Sequence, residues 1–200
     1  NIGRLDPRNG QFRSYPVPTP RSVPHGIDWA LDGSIWFTEA AAGKIARLDP
    51  ETGEITELSN LPGGNSIIKD STGKMYWTSG RTHQISMVDT SSMETKIYDL
   101  LTPKSNPYGI VVDQKDQVWW CQMIADKIGK LDPKTQEITE YPVPELAAPR
   151  RITVDSKGNI WFTEWRRSKV ARMHPDTGEI TEFDMPQANS DPYDLMVDVE

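Results

Sequence analysis

The 200-residue chain predicts an all-β fold, a β-propeller of four-stranded blades, and three observations carry that reading. One unit recurs from starts at His25, Asn65, Tyr108, Arg150 and Tyr193, about 42 residues apart, and a period of that length marks propellers and solenoids. Inside the unit, apolar and polar residues alternate with period two, as in Ile152-Thr153-Val154-Asp155 and Ile180-Thr181-Glu182-Phe183, which is the pattern of a strand and not of a helix. The segments are separated by turn residues. Asp32-Gly33, Thr72-Gly73 and Lys157-Gly158 join the first strand to the second, while Asp49-Pro50-Glu51-Thr52-Gly53 and Pro175-Asp176-Thr177-Gly178 join the third to the fourth. A repeat of this length holds four short antiparallel strands, one blade, whereas an open solenoid uses shorter coils.

Taken in order, residues 1–18 read as the last two strands of a blade, because Ile2-Gly3-Arg4-Leu5-Asp6-Pro7 repeats as Ile45-Ala46-Arg47-Leu48-Asp49-Pro50. Four blades follow at 25–58, 65–101, 108–143 and 150–186, and residues 193–200 read as the first strand of another. That count leaves the ring open, so the chain is expected to be a fragment of a seven-bladed ring. Trp36, Tyr76, Trp119 and Trp161 share one second-strand position and are expected in the core between blades. Cys121 replaces the threonine found at Thr38, Thr78 and Thr163. It reads as a small strand residue rather than a nucleophile.

Composition narrows the function classes. Lys+Arg number 22 against 29 Asp+Glu, for a net charge of -7, which argues against a basic face for nucleic acid. No apolar run approaches the roughly 18 residues that a membrane-spanning helix needs. One cysteine excludes an intramolecular disulfide. The expected partner is a small-molecule or peptide-like ligand, with neither nucleic acid nor membrane, and a full-length ring is expected to be a monomer.

The hairpin between first and second strands is expected to bring the first residue of a unit beside the residue fourteen later. The pairs are His25 with Glu39, Asn65 with Ser79, Tyr108 with Gln122, and Arg150 with Glu164. Loops carrying Arg81, His83, Asp126, Trp165, Arg166 and Arg167 rise on the same face. This face varies from unit to unit while the opposite one repeats its Asp-Pro turns, as expected of a binding face on a repeated scaffold. An imidazole beside a carboxylate is a workable general base, which singles out His25 and Glu39.

Pro24-His25-Gly26-Ile27, Ile35-Trp36-Phe37-Thr38-Glu39, Lys44-Ile45-Ala46-Arg47-Leu48 and Ile55-Thr56-Glu57 resemble the repeat of the streptogramin B lyase, or virginiamycin B lyase, family. Phe162-Thr163-Glu164-Trp165 and Lys127-Ile128-Gly129-Lys130-Leu131 are similar to it too. The resemblance implies a seven-bladed propeller and a Mg²⁺-dependent carbon–oxygen lyase that opens a cyclic depsipeptide lactone by elimination, without adding water. It implies His25 as the catalytic acid/base and Glu39 as a metal ligand. The family's second acidic ligand falls on Val23, a departure, and in the last unit Asp191 keeps that acid while Tyr193 replaces the histidine. Asn65, Tyr108, Arg150, Arg151, Glu164, Trp165 and Tyr193 are expected to line the substrate site. Two other readings use the same face. One is a non-catalytic propeller that recognises a peptide, carbohydrate or anionic ligand through Trp165, Arg150, Arg151, Arg166 and Arg167 around Glu164. The other is a hydrolase of the gluconolactonase type.

Overall fold

The computed structural model describes residues 1–58 and 60–198. Strands β1 (Ile2–Leu5) and β2 (Phe12–Tyr15) form a two-stranded sheet. Four four-stranded antiparallel sheets follow. The first holds β3 (Pro24–Trp29), β4 (Ile35–Glu39), β5 (Lys44–Leu48) and β6 (Ile55–Leu58). In the second are β7 (Ile67–Lys69), β8 (Lys74–Ser79), β9 (Gln84–Asp89) and β10 (Thr95–Asp99). The third contains β11 (Pro107–Val112), β12 (Val118–Gln122), β13 (Lys127–Leu131) and β14 (Ile138–Pro142). The last has β15 (Pro149–Val154), β16 (Ile160–Glu164), β17 (Lys169–Met173) and β18 (Ile180–Asp184). Each sheet keeps chain order, every strand pairing with the next, which is the meander of a propeller blade.

The turns are held by the residues that mark them. Asp155 accepts the backbone N–H groups of Lys157 and Asn159, both at 2.9 Å, and the indole N–H of Trp161 at 2.9 Å, so one carboxylate fastens a hairpin to the sheet. Asp113 repeats the arrangement with Lys115, Gln117 and Trp119. At the other turn, His174 Nδ1 accepts the N–H of Asp176, where Asp49 and Asp132 use a carboxylate.

The core lies between blades. Ile2, Tyr15, Phe37 and Leu48 fill the first interface; Trp36, Ile45, Ile67 and Trp77 fill the next. Tyr76, Met87, Trp120 and Leu131 pack the third, and Trp119, Ile128, Phe162 and Met173 the fourth. Trp36, Tyr76 and Trp119 are completely buried, as expected. Trp161 departs from the expectation. It is half-buried and stacked on Phe183 at 5.4 Å, because no sheet among the described residues covers it; residues Leu195–Asp198 border the cavity beside it instead.

Two further expectations are corrected. The register places Pro24, not His25, opposite Glu39, and likewise Pro107 opposite Gln122 and Pro149 opposite Glu164. A bulge at the next two residues then shifts the pairing, which resumes at Ile27 with Phe37. Residues 191–198 form no strand, for a first strand is held by its own second strand and none is present for it among the described residues; Val199 and Glu200 lie outside them.

The bulge has a physical reason in the contact between blades. Gly26 N–H donates to Thr38 Oγ1 at 2.9 Å, and that hydroxyl donates onward to the Asn65 carbonyl of the neighbouring blade at 3.0 Å. Thr78 repeats the stitch between Ser66 N–H and the Tyr108 carbonyl. A Cβ on Gly26 would come within 2.5 Å of the Asn65 carbonyl oxygen and one on Gly109 within 2.6 Å of that of Arg150. Cys121 occupies the threonine position with a buried thiol, whose protonation burial favours by pushing its pKa up.

Candidate functional site around the propeller axis

In four of the five units the chain enters its first residue through two left-handed residues, four and two positions earlier. They are Arg21 and Val23, Lys104 and Asn106, Leu146 and Ala148, and Asn189 and Asp191, with φ between 44° and 62°. Such conformations cost a non-glycine residue roughly 1–2 kcal/mol. They persist here because the lead-in is tied down: the Val23 carbonyl accepts from Ala40 N–H at 3.0 Å, and Asp126 accepts from Leu146 and Ala148 N–H. Tyr193 is therefore delivered by the same lead-in as His25, Tyr108 and Arg150, although no strand follows it.

These lead-ins bring His25, Tyr108, Arg150 and Tyr193 together. His25 Nδ1 lies 2.9 Å from the Asn65 carbonyl oxygen and its Nε2 3.2 Å from the Tyr108 hydroxyl. The Tyr108 hydroxyl lies 2.8 Å from that of Tyr193. Since a carbonyl only accepts, Nδ1 carries the hydrogen of the neutral ring, and Nε2 accepts from Tyr108. Arg150 stands over the rings of Tyr193 at 4.0 Å, Trp165 at 4.5 Å and Tyr108 at 5.3 Å. Arg151 reaches across to Ser66 Oγ at 2.7 Å and lies 4.0 Å from Asp194. The Tyr108 hydrogen bond, helped by Arg150 against the opposing effect of burial, holds the Tyr193 phenol below the ordinary tyrosine range, while burial and then Tyr193 push Tyr108 above it.

The expected partnership of His25 with Glu39 is not formed. Glu39 is fully buried, and neither oxygen has a hydrogen-bond partner. Burial raises its pKa, the Ser22 hydroxyl lowers it, Glu57 adds to the rise and Lys44 opposes it. Glu57 is itself committed to Thr19 N–H, the Thr19 hydroxyl and Lys44. Glu164, at the same position three blades on, accepts from Arg167 Nε at 3.2 Å, and Arg167 also binds Glu182 at 2.8 Å and the Glu145 carbonyl. Desolvation, then the shared hydrogen bond with Glu182, pushes Glu164 up to about 7. The expected cluster of cations thus divides: Arg150 and Arg151 face the axis, Arg167 turns to these carboxylates, and Arg166 is exposed.

The residues present do not build a Mg²⁺ site. Magnesium needs converging oxygen ligands. Glu39 offers one carboxylate, the Lys44 ammonium already serves its neighbour Glu57, and Val23 brings no oxygen from its side chain. Among the described residues no group of three or more His, Cys, Asp or Glu is placed to hold a metal.

Beside the axis opens a cavity of about 310 Å³ lined by Asn65, Arg81, Asn106 and Tyr108, floored by Gly63, Gly64 and Gly80. Asn106 and Ser66 were missed from the sequence. Both stand at fixed offsets from a unit start, so the repeat could have exposed them.

Fold and site define a β-propeller whose first-strand residues converge on an aromatic, cationic axis. The Virginiamycin B lyase family model matches residues 1–200, and the chain belongs to that family. It is 29% identical over 145 residues, 72% of its length, to virginiamycin B lyase of Nocardia farcinica, of which the match covers 48%. The selenomethionine-substituted virginiamycin B lyase of Staphylococcus aureus superposes with a TM-score of 0.87 at 28% identity, over 96% of this chain and 65% of that one. A catalytically inactive histidine-to-alanine variant of the S. aureus enzyme with quinupristin superposes with a TM-score of 0.80 at 28% identity, over 88% and 60%. The chain thus spans about half the length of the Nocardia relative.

Proposed function

We propose that this chain serves as a carbon–oxygen lyase, opening a cyclic depsipeptide lactone by elimination. In that reaction a proton leaves the carbon next to the one bearing the ester oxygen, its electron pair forms a carbon–carbon double bond, and the carbon–oxygen bond breaks to release a carboxylate. The observation that supports it is the His25 ring held through Nδ1, with its basic Nε2 joined to a hydroxyl on the axis, beside two arginines. His25 is the final proton acceptor. Arg150 makes no ion pair among the described residues, and Arg151, held by Ser66, has a carboxylate no nearer than Asp194 at 4.0 Å, so both have charge to offer the departing carboxylate. Family membership supports the same class. Incubation with quinupristin tests it: a linear product of unchanged mass is expected from the wild-type chain and not from His25→Ala.

A second reading, a non-catalytic binding propeller, is favoured by the separation of Glu39 from His25 and by Val23. It predicts quinupristin affinity that withstands EDTA and no turnover at all.

A further inference from the structure

Both nitrogens of His25 are occupied, one by the Asn65 carbonyl and the other by Tyr108. The imidazole therefore presents no free lone pair to a substrate. The hydrogen-bonded series continues through the Tyr108 hydroxyl and ends at Tyr193, which is 43% exposed, with Arg150 at 4.0 Å and Arg151 at 5.6 Å from its ring. With Nδ1 bound to a carbonyl, the direction of the series in the neutral state is set: Tyr193 donates to Tyr108, which donates to His25 Nε2. Its open end is the Tyr193 oxygen.

We infer that Tyr193 is the residue that takes the proton from the substrate, with Tyr108 relaying the charge change to His25. The inference rests on the elimination reading above. Two hops prepare the base: the Tyr108 proton moves to His25 Nε2 and the Tyr193 proton moves to the Tyr108 oxygen, leaving a Tyr193 phenolate and a His25 imidazolium. The phenolate then removes the substrate's C–H proton, the double bond forms, and the ester oxygen departs on the carboxylate. One imidazolium and one carboxylate result from neutral reactants, and the imidazolium returns its proton to water. The two arginines stabilise first the phenolate and then the carboxylate, so their charge is in place before either anion forms. The lowered pKa of Tyr193, whose first cause is the Tyr108 hydroxyl, is that of a phenolate accepting from Tyr108, the arrangement reached after the second hop.

The test uses the full chain, quinupristin turnover and binding, and an ultraviolet titration of tyrosinate. Tyr193→Phe and Tyr108→Phe are each expected to lower kcat by about 10²–10⁴, the usual contribution of general acid–base catalysis, with quinupristin Kd little changed. The wild-type titration should show an early tyrosine step that vanishes in Tyr193→Phe and moves to higher pH in Tyr108→Phe, a signature that a merely structural ring would not give. Turnover that survives Tyr193→Phe but not His25→Ala overturns the inference and leaves the elimination reading intact. Absence of turnover by the wild-type chain defeats that reading and this inference together.

Discussion

Glu39 and Glu164 end the second strands of two blades, and both are completely buried, yet their surroundings differ. Glu39 has no hydrogen bond, its Lys44 neighbour being engaged with Glu57; Glu164 shares Arg167 with Glu182. Ser79 and Gln122 hold the same place in the two blades between, uncharged and equally buried. The difference teaches that the repeat decides where a side chain is and how dry its site is, while the loop just beyond it decides what charge it meets. The axis shows the same division, for identical lead-ins deliver His25, Tyr108, Arg150 and Tyr193, an imidazole, a guanidinium and two phenols, to one centre.

The largest effect should separate the axis from the buried glutamate. His25→Ala is expected to lower kcat/KM for quinupristin by about 10²–10⁴, whereas Glu39→Gln, at a site not linked to His25, should leave it near the wild-type value. An equal collapse in both variants, measured in one assay, would place the two residues in a single site after all.

The two glutamates should next differ in their dependence on ion pairing. Arg167→Met strands the buried Glu164, while Glu182 keeps Lys169, and should cost about 1–3 kcal/mol, measured by denaturant unfolding at pH 8. The pH dependence follows from the Glu164 pKa of about 7 against its ordinary 4.5. Between those values the folded chain holds a proton that the unfolded chain has released, so this group's contribution is fully present below 4.5 and is lost as pH rises through about 7. Glu164→Gln should flatten that decline in Tm, and an unchanged slope would contradict the assignment.

Smaller effects test the stitch between blades. Thr38→Val leaves the Gly26 N–H without its hydroxyl acceptor, Thr78→Val removes the hydroxyl that joins the Ser66 N–H to the Tyr108 carbonyl, and each should cost about 1–3 kcal/mol in urea unfolding. Cys121→Thr supplies the missing hydroxyl and is expected to gain about 0.5–1.5 kcal/mol, the net worth of an ordinary hydrogen bond. A loss there would show that the third stitch has been replaced by packing.

Much of this was legible because a repeat converts sequence spacing into rotation about one axis. The blades, the two opening strands and the meeting of His25, Asn65, Tyr108, Arg150 and Tyr193 all follow from the period. The bulge was not legible, since Gly26 and Gly109 are demanded by the neighbouring blade's carbonyls, a contact distant in sequence from the hairpin it alters. Pairing Pro24 rather than His25 with Glu39 left His25 to the axis and separated two residues that spacing had joined. Arg167 was equally opaque: two residues after Trp165 in the chain, it turns to carboxylates on β16 and β18 while Trp165 turns to Arg150.

The most direct test of the account is mass spectrometry of quinupristin after incubation with the wild-type chain and with His25→Ala. A linear isomer of unchanged mass, formed by the wild type and absent with the variant, is the predicted result. A product heavier by one water would mean hydrolysis, and bound quinupristin released intact would mean a binding propeller; either contradicts an axis built for elimination.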